Sequence, residues 1–301
     1  MKNKLTRIVK SIRKNGFLHF FKLLKFHFIT IIYFKTEYLK TLLKNNFTSE
    51  KIVLFYPDKP SHRHVIWKLC NMIGYKIINN LSKKFSFAIN WQDKTFKTPD
   101  EKIKEVNKKI PVLNINCNDI SKQNIGVVFK KIFGYSLDIN PKKYGGKCVR
   151  KPNLNASGIG HVINCPSKKE KGFAYEKLIN TKNNEGLLVD FRVPIFKDII
   201  PCVQLRYKSP NPIFIDSLKK IEIKESKEIF SKSELKKIFL FCKRLGMDYG
   251  ELDILRDKDN NKIYIVDANT TPFGPHGLPR KITKEILKKS SIAFAEMIKN
   301  N

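Results

Sequence analysis

Residues 248–279, D-Y-G-E-L-D-I-L-R-D-K-D-N-N-K-I-Y-I-V-D-A-N-T-T-P-F-G-P-H-G-L-P, restrict this chain more than any other stretch. Leu252 and Ile254 alternate with Glu251, Asp253 and Leu255. Ile263, Tyr264, Ile265 and Val266 form a second β-favouring run, and Asp257, Lys258, Asp259, Asn260 and Asn261 between them are turn chemistry. This is the pattern of a β-hairpin. Strand side chains alternate between faces, so Glu251 shares a face with Asp253, and Asp267 shares one with Asn269. Pairing the two strands gathers three carboxylates and a carboxamide. Like charges held that closely repel unless a cation lies between them, and all-oxygen ligands suit Mg²⁺. The competing reading is a solvated hairpin face with an acidic turn.

The surrounding chain is large enough for two domains, at 301 residues, and its 42% apolar content excludes wholesale disorder. A net charge of +32 invites a nucleic-acid reading. The excess is mostly lysine, however, spread along the whole chain among abundant asparagine and isoleucine. No RNA-binding signature stands out, and no nucleic-acid partner is expected. Cys70, Cys117, Cys148, Cys165, Cys202 and Cys242 are scattered without a C-x-x-C pair. They read as reduced core thiols, which fits a reducing cytoplasm.

Residues 1–48 form a separate basic segment with eleven Lys and Arg among Phe, Leu and Ile. The apolar run 17–34 is interrupted by His19, Lys22, Lys25 and His27, so it spans a bilayer poorly. Two readings stay open. The segment lies peripherally on the inner membrane face, or it docks on the protein's own core and buries Phe17, Phe20, Phe21, Leu24, Phe28 and Ile31.

From residue 49 the pattern becomes α/β, with strands expected at 52–56, 85–91 and 112–115, an amphipathic helical run at 65–78 that ends near Gly74, and a helix at 100–109. This predicts a small parallel domain over 49–115. His62 and His64 read as loop residues. A second domain is expected over 116–301. Asp119 is positioned to cap the helix that follows. Lys151 ends a strand before the small-residue loop 153–161, where an ammonium and bare backbone N–H groups suit a phosphate. Strands are expected at 173–179, 189–193 and 199–208, the last presenting Arg206 and Lys208 on one face. Cations two apart on a strand either neutralise a concentrated negative charge or simply face water. Ser231 and Glu234 form a capping box, Leu235, Ile238, Phe239, Cys242 and Leu245 recur at helical spacing, and Gly246 ends the helix. A lysine-rich helix over 280–301 closes the chain.

Asp253 followed by D-A-N-T-T-P at 267–272 resembles the closing metal-binding motif of the ATP-grasp superfamily. The continuation P-F-G-P-H-G-L-P is similar to the loop that follows it in D-alanine–D-alanine ligases. The run D-Y-G-E-L-D resembles ATP-grasp proteins of cell-surface polysaccharide or peptide conjugation. The likeness runs from about residue 116 to 279. It implies an α/β protein with an ATP-grasp fold behind the small parallel domain and the basic helical extension. It further implies that Asp253, Asp267 and Asn269 hold two Mg²⁺ ions (or Mn²⁺), and that Lys122, Lys151, Ser157 and Gly158 meet ATP phosphates. Glu176, Lys177, Leu178 and Ile179 would take the adenine, Asp190 the ribose, and Arg192, Arg206 and Lys208 would act as catalytic cations. The implied activity is an ATP-dependent ligase joining a small-molecule carboxylate to an amine through an acyl phosphate. One position departs, since those ligases have Arg where this chain has Glu251. That departure keeps open an alternative, a non-catalytic nucleotide-binding scaffold at the membrane.

Overall fold

The computed structural model describes residues 17–44, 51–155, 160–210, 218–275 and 277–299. Helix α1 (Phe17–Lys44) precedes a parallel sheet of β1 (Lys51–Pro57), β2 (Tyr75–Ile78), β3 (Phe87–Trp91) and β4 (Val112–Leu113), ordered β2-β1-β3-β4. Its crossover helices are α2 (Val65–Met72) and α3 (Glu101–Asn107). The helix expected over 65–78 is therefore two elements. Gly74 takes φ +76°, which ends the helical course and turns residues 75–78 into an edge strand beside β1. A side chain there would also strike Thr41 of α1, whose Cγ2 lies 2.9 Å from an ideal Cβ.

Helix α1 docks on α2 along one face. Phe34 is buried edge-on to Trp67, the Thr41 hydroxyl donates to the Met72 carbonyl at 3.1 Å, and the His27 and His62 rings share a 3.1 Å hydrogen bond. The docked face is centred on Phe34, so Phe17, Phe21, Leu24 and Phe28, expected to be buried by docking, are exposed. Ile31 is half-buried, and the Phe20 side chain lies outside the described residues.

Helix α4 (Lys122–Phe133) follows. Its cap is Ser121, whose hydroxyl accepts from the Asn124 amide at 3.3 Å, and not Asp119 as expected. Asp119 instead accepts from the Ser121 amide at 2.8 Å, presenting the capping residue rather than capping. A three-stranded antiparallel sheet comes next, made of β5 (Gly146–Pro152), β6 (His161–Cys165) and β7 (Phe173–Lys177) in the order β6-β5-β7. The largest sheet is antiparallel, with order β10-β9-β8-β11-β12. It comprises β8 (Leu188–Phe196), β9 (Val203–Lys208), β10 (Leu218–Lys224), β11 (Tyr249–Arg256) and β12 (Ile263–Asn269). The strand expected from 199 begins only at Val203, because Phe196 and Ile199 close a turn with mutual backbone hydrogen bonds of 3.0 and 2.9 Å.

Alternation explains how this sheet is held. Phe191, Val193, Ile195, Val203, Leu205, Leu252, Ile254 and Ala268 point to one side. They form a core with Ile125 and Phe129 of α4 and with Ile238, Phe241 and Leu245 of α6 (Lys232–Leu245), which starts at the expected Ser231–Glu234 capping box. A short helix, α5 (Ser226–Ile229), precedes it. The last helix, α7 (Arg280–Lys299), turns back onto the parallel sheet's core, placing Leu287, Phe294 and Met297 with Phe55, Leu69 and Trp91. Asn114 ties the two sheets together. Its amide donates to Asp248 Oδ2 at 2.7 Å, its side-chain Oδ1 accepts from the Asp248 and Tyr249 amides at 2.8 and 2.9 Å, and its Nδ2 donates to the Tyr249 carbonyl at 2.8 Å. Its φ of 60° is one that asparagine tolerates better than most side chains. All six cysteines are free thiols.

Candidate active site

The other side of the large sheet is polar, and its register makes it a site. Asp253 sits opposite Asp267, and Glu251 opposite Asn269, in the β11–β12 pair. On the other flank Asp253 faces Arg192 of β8, and Asp190 of β8 faces Arg206 of β9. Opposed residues of antiparallel strands share a face. Asp190, Arg192, Arg206, Lys208, Glu251, Asp253, Asp267 and Asn269 therefore carpet one surface, while the intervening residues build the core behind it. The hairpin bulges directly after this cluster, where the register shifts between Asp253 and Ile254.

Every carboxylate on that surface meets a cation. Arg192 Nε lies 3.3 Å from Glu251 Oε1 and 3.2 Å from Asp253 Oδ1, and Asp190 takes Arg206 at 3.3 Å and Lys208 at 2.7 Å. Lys122, buried at the start of α4, pairs with Asp267. Burial pushes the Glu251 carboxyl up to about 7 against the pull of Arg192. Burial also acts to raise Asp253, but Arg192, Arg206 and Lys208 outweigh it and hold that carboxyl below its ordinary value. Burial works against the charge of Arg192, and Glu251 and Asp253 together more than restore it.

A second pair closes the site from the three-stranded sheet. Lys151 Nζ lies 2.5 Å from Glu176 Oε2, and Glu176 is 2% exposed. Burial raises the Glu176 carboxyl, with Lys151 pulling it back. The expected adenine-side residues follow in the chain. Lys177 ends β7 and donates its amide to the Leu137 carbonyl at 2.9 Å, Leu178 is exposed, and Ile179 packs on the core. Ser157 and Gly158 lie outside the described residues. Asn155, at the near end of that loop, donates its amide to Thr95 Oγ1 at 2.8 Å.

The small parallel domain reaches the same place, and sequence reasoning found no chemistry in it. Buried Lys97 hydrogen-bonds Thr270, Asp93 Oδ1 accepts from the Thr271 hydroxyl at 2.8 Å, and Lys68 Nζ donates to the Gly274 carbonyl at 2.5 Å. Burial lowers both amines, Lys68 to about 8. His64, read as a loop residue, precedes α2 as its N-cap residue, with its ring buried and stacked on Phe273 at 4.4 Å. These contacts fix the 270–275 loop over a cavity of about 420 Å³ lined by Arg192, Arg206, Lys208, Tyr249, Glu251 and Phe273.

No family model matches the chain, and neither does any curated protein sequence. Solved structures do. One of the ATP-grasp ligase PsnB complexed with a minimal precursor superposes with a TM-score of 0.53 at 12% identity, covering 83% of this chain and 100% of that one. The VanG D-Ala:D-Ser ligase from Enterococcus faecalis gives 0.53 at 13%, covering 83% and 100%. This is the ATP-grasp fold. A further PsnB structure, in complex with its minimal precursor, Mg and ADP, matches at 0.52 and 12% identity over 83% of this chain and 99% of that one. Lys122 reaches the polar sheet face through its pair with Asp267, and the charges of both act on Glu176.

The residues fit a divalent cation on two grounds. Asp253 and Asp267 are set side by side on neighbouring strands with Asn269 one pleat away, and both already draw cationic side chains. Among the described residues no three His, Cys, Asp or Glu side chains form a metal cage on their own. Asp253, Asp267 and Asn269 are the residues that would hold such an ion.

Proposed function

We propose that this protein is an ATP-dependent ligase that activates a carboxylate as an acyl phosphate and couples it to an amine. The observation that carries this reading is the register-matched face of Asp253, Asp267 and Asn269, edged by Arg192, Arg206 and Lys208, beside the 420 Å³ cavity. Asp253, Asp267 and Asn269 would hold Mg²⁺, which supplies charge neutralisation at the transferring phosphoryl group. Lys122 and Lys151 sit where they would exchange carboxylate partners for ATP phosphates. Five cations (Lys122, Lys151, Arg192, Arg206, Lys208) balance five carboxylates (Glu176, Asp190, Glu251, Asp253, Asp267), each in an ion pair. Bringing in the triphosphate with two Mg²⁺ leaves the net charge of the site unchanged, and the metal would replace Lys122 as the partner of Asp267.

The γ-phosphoryl group passes to a carboxylate oxygen and ADP leaves. The amine lone pair then attacks the acyl carbon, the carbon–oxygen bond to phosphate breaks, and the amine proton departs to solvent. Arg206 and Lys208 line the cavity, and preorganised cations there would stabilise the charge that develops on transfer. The Lys177–Ile179 segment and Asp190 would take adenine and ribose. The likeness to PsnB with its precursor and to a D-Ala:D-Ser ligase supports a carboxylate and amine of the peptide or amino-acid class, and the D-Y-G-E-L-D run supports a role in cell-surface polysaccharide or peptide conjugation. The scaffold alternative rests on Glu251 standing where related ligases carry Arg. Here Arg192 reaches that position from the neighbouring strand, 3.3 Å from Glu251, so a cation is still supplied.

The test is ADP release from Mg²⁺ and ATP against a panel of amino acids and short peptides, offered singly as acids and in pairs with amines. Release that depends on both an acid and an amine supports the ligase. Tight nucleotide binding without any release across the panel favours the scaffold.

A further inference from the structure

Helix α1 has two faces, and docking on α2 uses only one. His27, Thr30, Ile31, Phe34, Thr41 and Leu42 are buried or half-buried toward the body. The opposite side carries Leu18, Phe21, Phe28, Ile32, Leu39 and Leu43, recurring at three-, four- and seven-residue intervals and each at least half exposed, up to 72% at Leu18. A contiguous apolar stripe of that length on a protein surface marks something that covers it.

The charges around the stripe say what that is. Lys22, Lys40 and Lys44 flank it on one side, Lys35 on the other, and Lys25 sits within it. Glu37, the one acidic residue of the helix, is half-buried and held by Lys40 at 2.9 Å. The preceding residues 1–16 add Lys2, Lys4, Arg7, Lys10, Arg13 and Lys14 and no acidic residue. A second copy of the chain would set these lysines against one another and place Lys25 inside an apolar seam. An anionic lipid surface attracts them, and Lys25 can extend to the headgroups while its stem stays among Phe21, Phe28 and Ile32. Among the described residues no helix is long and apolar enough to cross a membrane, so α1 would lie on the surface rather than span it.

We propose that the outward stripe of α1 is a membrane-interface surface for anionic phospholipid, with the inward face fixing the catalytic body to it. The test is flotation of the full chain with vesicles of phosphatidylcholine alone and of phosphatidylcholine mixed equally with phosphatidylglycerol. Binding to the mixed vesicles only, weakening as salt shortens the Debye length, is the expected result. Lys22→Gln with Lys25→Gln should weaken that binding roughly 30-fold, at about 1 kcal/mol per lysine near the surface. Phe28→Ser with Ile32→Ser should abolish it, with circular dichroism as the control for folding. The lysine pair changes exposed charges only and keeps the test valid if the apolar pair does not fold. Equal binding to both vesicles, no binding to either, or binding indifferent to the lysine pair overturns the proposal. So does a dimer in sedimentation equilibrium that the apolar pair converts to monomer without any vesicle binding, which would give the stripe to a second copy.

Discussion

Replacing Lys151 with Met isolates the electrostatics of the nucleotide end of the site. Glu176 is 2% exposed, and its ion-pair partner among the described residues is Lys151 at 2.5 Å, whose side chain is 22% exposed. Removing one member of a fully buried pair costs about 3–5 kcal/mol, and partial exposure of the lysine brings this to roughly 2–3 kcal/mol for the ionised carboxylate. Burial already raises Glu176, and Lys151 is the first influence pulling it back, so the substitution raises it further. A carboxyl whose folded value is raised adds stability below its ordinary pKa and loses it as pH climbs through the raised value. The Lys151→Met loss should accordingly be larger at neutral pH than at acid pH, where the raised Glu176 carboxyl is protonated in the folded protein. Urea unfolding at both pH values measures it, and adding Glu176→Gln should recover most of the loss at the higher pH. An equal loss at both pH values with no recovery would refute the buried-charge reasoning. The same variant should weaken ATP binding far more than adenosine binding.

Two substitutions test how the site is held. Asn114→Ala removes three side-chain hydrogen bonds to Asp248 and Tyr249 in a residue 1% exposed, and should cost about 3 kcal/mol in urea unfolding; a loss under about 1 kcal/mol would mean that the sheets are joined elsewhere. Gly246→Ala places a Cβ 2.5 Å from the Asn116 backbone at φ +74°, and a destabilisation well beyond the roughly 1 kcal/mol of the backbone conformation alone is expected from the same measurement.

The hairpin was legible because strand period, turn residues and charge all agree there, and Asp253 faces Asp267 as alternation requires. Alternation also placed Arg206 and Lys208 on one face. It could not show that Asp190 lies between them, because a carboxylate's partner depends on which strand becomes its neighbour. The strand at 75–78 was hidden inside an apolar run of helical spacing, and only Gly74 marked the break. Lys68 and Lys97 were illegible for a different reason. Their partners Gly274 and Thr270 lie 206 and 173 residues away, and no local pattern signals a lysine that will be buried against a distant loop. On α1, sequence showed an amphipathic basic helix, but the face that docks was set by Phe34 meeting Trp67.

The central claim, that Asp253, Asp267 and Asn269 form the seat of MgATP, is tested most directly by titration calorimetry of ATP with and without Mg²⁺. The wild-type chain should bind ATP at least tenfold more tightly with Mg²⁺, about 1.4 kcal/mol. Asp267→Asn, isosteric but uncharged, should erase that difference while leaving metal-free ATP binding equal or stronger, since Lys122 is released to the phosphates. A variant that keeps the full Mg²⁺ dependence would contradict the assignment and move the metal away from the hairpin.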